Sequence, residues 1–227
     1  MCGPFSYLLF MSFTAEAAVS DEHPVTLAAI ILSGGESARM GKPKALLDFG
    51  GKPAIARIIE TARKAGITRI LVVVGKHAEQ IRKGADLGGC TVLVNENPER
   101  GQLSSMQLGM SKLDFATDAA FLWPVDCPLV KPDDLKALAQ AYVKGRTALM
   151  RIFLPVNGGK RGHPMLVDIG FRQPFMELKH GQNARNVIEA NPTQVQEVPV
   201  NNTGVLLDID TPEDYQVAVK VFESMKA

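Results

Sequence analysis

The stretch Leu27–Leu47, LAAIILSGGESARMGKPKALL, decides the fold. It opens on an unbroken apolar run from Leu27 to Leu32, the pattern of a strand buried on both faces of a parallel sheet. The run stops at Ser33-Gly34-Gly35, and Arg39, Lys42 and Lys44 follow closely. Glycines leave backbone N–H groups free to face a ligand, and cations beside them add mobile positive charge. A triphosphate needs both. An ordinary βα turn with solvated basic residues would account for the glycine pair alone; the three cations behind it favour the phosphate site. Two commoner phosphate motifs are excluded by spacing. Gly35 and Gly41 are one residue too far apart for a Walker A loop, and Pro43 stands where that loop needs Ser or Thr. No G-x-G-x-x-G follows the strand, so the dinucleotide fingerprint is absent too.

Outward from this stretch, strand and helix patterns alternate. Ala45–Phe49 reads as a short extended piece closed by Gly50-Gly51, and Pro53 opens a helix to about Ala65, stopped by Gly66. Strands are expected at Arg69–Val74, Thr91–Val94 and Ala119–Val125, with helices at 78–83, 101–112 and 132–144 between and after them. Beyond Ala148 the alternation loosens. Leu149–Val156 and Met165–Val167 read as strands around a polar loop, followed by short helices near 171–178 and 183–190 and strands at 196–200 and 205–207. A last helix begins at Thr211-Pro212, an N-cap with proline at the first helical position. The expected architecture is α/β: three layers, doubly wound around a mostly parallel sheet.

At 227 residues and 24.5 kDa, one domain over 25–227 fits better than two. A net charge of +1 argues against nucleic acid or an anionic membrane surface as partner, so any anion site must be local. Three dispersed cysteines without C-x-x-C spacing argue against a disulfide framework and suit a reducing cytoplasm. Residues 1–24 are expected to form a disordered or loosely held extension. Their apolar run, Tyr7–Phe13, has no preceding Lys or Arg and is too short to span a bilayer, which makes a cleaved signal the weaker reading.

Asp126 directly follows an apolar strand, which puts it at the carboxyl edge of the sheet, where open α/β folds bind ligands. A carboxylate there can hold Mg²⁺ beside phosphates, because magnesium takes one or two carboxylates and fills its shell with water and substrate oxygens. Asp208 and Asp210 also follow an expected strand and could come near Asp126, although Asp210-Thr211-Pro212 is equally a helix start. His163 lies in a polar loop, as a substrate contact or a surface turn; the histidines are not spaced as zinc ligands. Gln102, Ser104 and Ser105 sit at a helix start, where they either cap it or meet a polar ligand. No serine has the G-x-S-x-G setting of a hydrolase nucleophile.

Leu32–Lys44 resembles the L-x-G-G-x-S-x-R-M-G-x-x-K signature of the molybdenum cofactor nucleotidyltransferases, of the nucleoside-diphosphate-sugar transferase-like fold. Asp126-Cys127-Pro128 is similar to their D-x-P motif. Gly162-His163-Pro164 and Asp208–Asp214 (DIDTPED) resemble segments of the cytidylyltransferase branch, and Gly101–Ser105 leans the same way. Ser33-Gly34-Gly35 is closer to the guanylyltransferase branch. The resemblance implies nucleotidyl transfer from an NTP, with CTP favoured over GTP, to a phosphorylated acceptor such as molybdopterin, with release of pyrophosphate. A sugar phosphate is the alternative acceptor, and a nucleotide- or molybdopterin-binding protein without chemistry the alternative class. By the same resemblance, Leu32, Ser33, Gly34, Gly35 and Ser104 line the nucleotide, and Arg39 and Lys44 hold the triphosphate. Asp126, with Asp208 or Asp210, binds Mg²⁺, His163 faces the acceptor, and a molybdoenzyme or its chaperone is the implied partner.

Overall fold

Leu27–Ser33 forms β1, and from Ala28 onward every residue of it is buried. Such a strand has to be central. It pairs in parallel with β2 (Arg69–Val74) on one side and β4 (Ala119–Pro124) on the other, and β3 (Thr91–Val94) extends the sheet beyond β2. The computed structural model describes residues 25–35, 37–145 and 148–225. The expected extension over 1–24 lies outside them.

Because β2 lies to one side of β1 and β4 to the other, the chain changes direction across the sheet between β1 and β4. That crevice is where ligands bind in open α/β sheets. The far half of the sheet is mixed. β4 pairs antiparallel with β7 (Met165–Asp168), β7 pairs antiparallel with β5 (Ile152–Asn157), and β5 carries both β6 (Lys160–Arg161) and the parallel β8 (Val195–Pro199). The strand order is β3-β2-β1-β4-β7-β5-β6, with β8 also on β5.

Alternate residues of β1 feed two cores. Ala29 and Ile31 face α1 (Ala54–Lys64) and α4 (Pro132–Gly145), packing with Ile55, Ile58, Phe121, Trp123 and Leu138. Ala28, Ile30 and Leu32 face α3 (Gln102–Ser111), with Leu103, Met106 and Met110, and the same layer takes in Phe175 and Val187 from α5 (Gln173–Met176) and α6 (Ala184–Ala190). The remaining helices are α2 (Ala78–Gly84) and α7 (Pro212–Ser224). A third cluster sets Met40, Leu47 and Phe49 against Ala218 and Phe222 of α7, which fastens the last helix over the loop that follows β1. Among the described residues no helix is long and apolar enough to cross a membrane.

Two expected strands are absent. Lys44–Leu46 is a 3₁₀ turn, closed by Leu46 N–H to Pro43 carbonyl at 2.9 Å, and only Asp48 makes an isolated bridge, to Pro53. Thr203–Leu206 is likewise 3₁₀, because the Asn202 side chain accepts from the Gly204 N–H and caps a turn where an extended segment was expected. The loop expected at 157–164 contains the tight β5–β6 hairpin, turned at Gly158 and Gly159, both with positive φ.

α3 lies so close to β1 that a Cβ on Gly109 would collide with Ile30 Cγ2. Alanine gains about 1 kcal/mol of helix propensity over glycine, but overpacking a filled core costs about 1–3 kcal/mol. Gly109→Ala is therefore expected to lower the urea midpoint; an equal or higher midpoint would mean that α3 can move away from the sheet at no cost.

Candidate active site

The loop after β1 doubles back instead of running straight into a helix. Ser37 adopts a left-handed conformation, with φ 52°, Ala38–Met40 makes a 3₁₀ turn, and Gly41 is left-handed again at φ 66°. The Ser37 hydroxyl accepts the Lys44 N–H at 3.1 Å, and the buried Met40 side chain anchors the turn in the cluster under α7. The result aims Arg39 and Lys44 back toward the end of β1. Arg39 is 68% exposed and Lys44 only 15%.

Opposite them, the turn after β4 is held by the Trp123 indole N–H, which donates to the Cys127 carbonyl at 2.9 Å. Asp126 stands in that turn. The segment 208–210 is brought to it by a backbone hydrogen bond from Ile209 N–H to the Asp126 carbonyl, 3.1 Å. Downstream, Thr211 and Asp214 form a capping box at the start of α7, and the Asp214 carboxylate also accepts the Asp210 N–H. A helix cap and one backbone contact thus set where three carboxylates meet.

Lys44 Nζ lies 2.6 Å from Asp210 Oδ1 and 3.2 Å from Asp126 Oδ2, and Arg39 Nη2 lies 2.9 Å from Asp210 Oδ2. Both oxygens of Asp210 are therefore taken by cations. Partial burial alone would lower the Lys44 pKa, but Asp126 and Asp210 outweigh it and the net shift is upward. The hydrogen bond from Lys44, above all, holds the Asp210 carboxyl below the usual carboxylate range. Asp208 behaves in the opposite way. Exposed overall, it is still desolvated enough, and close enough to the like charges of Asp126 and Asp210, to be pushed up to about 6. A carboxylate oxygen of Asp208, one of Asp126 and Cys127 Sγ all lie within 4.8 Å of one another. Two facing carboxylates, one of them without a bonded cation, are a donor set that fits a hard divalent ion. Burial, first of all, raises the Cys127 thiol well above its usual pKa.

A cavity of about 330 Å³ opens between these groups. Its charged end is Arg39, Lys44, Asp126 and Asp210, and its neutral walls are Leu32, Ser33, Gly34, Gly35, Ile81 and Gln102, with His77 beside them. Of the residues singled out in the sequence, Lys42, Ser104, Ser105, His163 and Asp208 do not line it, although Asp208 faces Asp126. The Ser104 hydroxyl is taken up by Asn95, Asn97 and Gly101, which fixes the turn leading into α3. His163 is anchored through its N–H to the Val205 carbonyl at 2.8 Å; its Nδ1 is buried with no hydrogen-bond partner, and burial lowers its pKa against the pull of Asp126. His77 and Ile81 carry no motif. Their only signal in the sequence is that Gly75-Lys76-His77 follows β2 at the same sheet edge as Gly34.

The pKa of Asp208 has a measurable consequence. Its folded value, about 6, lies above the ordinary 3.8, so ionising it costs the folded state: the stability this one group contributes is fully present below about pH 4 and is lost as pH rises through about 6. In chelator-treated protein, the urea midpoint of Asp208→Asn is expected to lack that part of the decline, by a modest margin because the group is exposed to solvent. Added Mn²⁺ should narrow the gap between parent and variant. Superimposable pH profiles for the two would remove the repulsion.

Residues 29–197 match the model of the MobA-like NTP transferase domain. Among curated proteins, the bifunctional protein GlmU of Bordetella petrii is 28% identical over 186 residues, which cover 80% of this chain and 40% of that protein. The chain thus spans less than half the length of that relative. The nicotine blue oxidoreductase of Paenarthrobacter nicotinovorans is 26% identical over 81% of this chain and 92% of its own. Among solved structures, Rv0371c of Mycobacterium tuberculosis superposes with a TM-score of 0.77 at 24% identity, over 87% of this chain and 99% of that one. Another structure of that protein is a complex with manganese, with a TM-score of 0.71.

Proposed function

Because the chain belongs to the MobA-like NTP transferase family and is a nucleotidyltransferase, we propose that it moves a cytidylyl group from CTP to the phosphate of molybdopterin in a Mg²⁺-dependent reaction. The observation that carries this reading is the convergence of Arg39 and Lys44 with Asp126 and Asp210 on one cavity lined by Gly34 and Gly35, with Asp208 facing Asp126 just outside it. Cations for a triphosphate and carboxylates for a divalent ion are the two halves of such a site.

An oxygen of the acceptor phosphate attacks the α-phosphorus of the NTP, the bond from that phosphorus to the β-phosphate oxygen breaks, and pyrophosphate leaves with the bonding electrons. The nucleophile is already an anion, so no proton has to be removed and no general base is needed. The work of the protein is alignment and charge compensation. Arg39 and Lys44 exchange their contacts with Asp210 for the triphosphate oxygens. Asp126 and Asp208 would hold Mg²⁺, which neutralises charge on the phosphates when bound; Asp210 can join them once Lys44 and Arg39 have let it go. The manganese in Rv0371c supports a divalent ion. His163 is assigned to the acceptor by the resemblance of Gly162–Pro164, and the charge of Asp126 reaches it.

The cytidylyl reading rests on three segments, Gly101–Ser105, Gly162–Pro164 and Asp208–Asp214, against one, Ser33–Gly35, which favours GTP as the second reading. In the first reading the product passes to a molybdoenzyme or its chaperone in the cytoplasm. Pyrophosphate release, measured with each of the four NTPs, with and without Mg²⁺ and with molybdopterin or a sugar phosphate, separates these. Turnover is expected with CTP, Mg²⁺ and molybdopterin together. Asp126→Ala should lower it by roughly 10²–10³-fold or more while the protein stays folded, as read by circular dichroism. A preference for GTP would establish the second reading, and tight NTP binding without turnover on any acceptor would sink the catalytic one.

A further inference from the structure

Beneath Gly34 lies a closed polar network that the triphosphate chemistry does not use. Asn95, 5% exposed at the end of β3, donates through Nδ2 to Ser104 Oγ at 2.8 Å and to Ser105 Oγ at 3.0 Å. Its Oδ1 accepts the Asn97 N–H at 3.0 Å, and its own N–H reaches the Val74 carbonyl at 2.7 Å. The amide is therefore fixed in rotation, and so is the Ser105 oxygen it points at.

That oxygen occupies the place a Cβ on Gly34 would take, so the two collide if Gly34 is given a side chain. From the other side, a Cβ on Gly75 would come within 2.5 Å of the Gly34 carbonyl oxygen. The Gly34 peptide is thus gripped between α3 and the turn after β2, with no slack on either side. A packed apolar floor would have filled the same space without the cost of burying three polar side chains. What hydrogen bonds add is a fixed direction.

We propose that Asn95 and Ser105 are positioning residues of the nucleotide site. Asn95 sets the Ser105 hydroxyl, and the hydroxyl sets the path of the Gly34–Gly35 backbone along the neutral wall of the cavity, where the nucleoside end of the NTP lies. This rests on the reading of that cavity as the NTP site.

The test is binding, measured by calorimetry, of the four NTPs and of inorganic tripolyphosphate, which carries the triphosphate charge without a nucleoside. Ser105→Ala and Asn95→Ala should each weaken the preferred NTP by about three- to tenfold, corresponding to loss of one directional contact, while tripolyphosphate binding stays within about twofold. Gly34→Ala should weaken the NTP further, and Gly34→Ala with Ser105→Ala should recover most of that loss, because removing the hydroxyl makes room for the new methyl group. If Gly34→Ala does not fold, the two single variants at 95 and 105 still decide. NTP affinity unchanged in both, losses equal for NTP and tripolyphosphate, or additive effects in the double variant would each overturn the proposal while leaving the NTP site intact. A parent protein that binds neither NTP nor tripolyphosphate would overturn the site reading and this inference with it.

Discussion

The ammonium of Lys44 lies 2.6 Å from Asp210 and 3.2 Å from Asp126, and the arrangement of the sheet edge depends on those two contacts. Three carboxylates converge there from two distant parts of the chain. Without a cation among them, mutual repulsion would push the 208–210 segment away from β4. Lys44 is well suited to the task because its side chain is mostly buried, where the attraction is less screened than at the surface. Arg39, which bonds Asp210 from the solvent side, adds little to stability, as exposed ion pairs do. Its significance lies in where it points.

The position of Lys44 is itself a product of packing. Met40, Leu47 and Phe49 bury themselves against α7, and the chain between them has no choice but to curl. Left-handed Ser37 and Gly41 absorb the curl, and the Ser37 hydroxyl ties it off at the Lys44 N–H. α7 serves twice in this scheme. Its apolar face holds the loop, and its capping box holds Asp210 at the loop's cations.

The central half of this architecture is legible in the sequence, for a physical reason. A strand buried on both faces must be continuously apolar, so β1, β2 and β4 announce themselves, and a polar residue directly after such a strand must lie at the sheet's edge. That places Gly34, Gly35 and Asp126 together without any further information. The mixed half is less legible, because parallel and antiparallel strands of this length share one apolar pattern; nothing in Met165–Asp168 tells that it runs against β4. The turns 44–46 and 203–206 escape for another reason. Their conformations are set by a few short-range hydrogen bonds to neighbouring groups, and the apolar residues that suggest strands are there to pack, as Ala45 and Val205 do. Ser104 looks like a ligand contact from its place at a helix start, but whether a serine faces a cavity or closes a turn depends on Asn95 in the preceding loop, and no local pattern reveals that pairing.

The contrast between Asp208 and Asp210 carries the argument one step further. Two residues apart, they are pushed in opposite directions, one held ionised by Lys44 and one driven toward protonation by burial first and then by the like charges of Asp126 and Asp210. Beyond burial, positive charge is in short supply: Lys44 and Arg39 saturate Asp210 and reach only one oxygen of Asp126. An edge that fastens its segments with exact pairing of charges would leave no such remainder. This one leaves a carboxylate in excess beside cations that an incoming oligophosphate can claim. Any cation that binds between Asp126 and Asp208 relieves repulsion already present in the resting fold, and any anion that takes Lys44 and Arg39 makes that repulsion larger. Binding of the two is therefore coupled in the favourable direction by the geometry of the folded state alone. The uncompensated charge that costs the resting protein some stability is the same charge that would make each such ligand prefer the presence of the other.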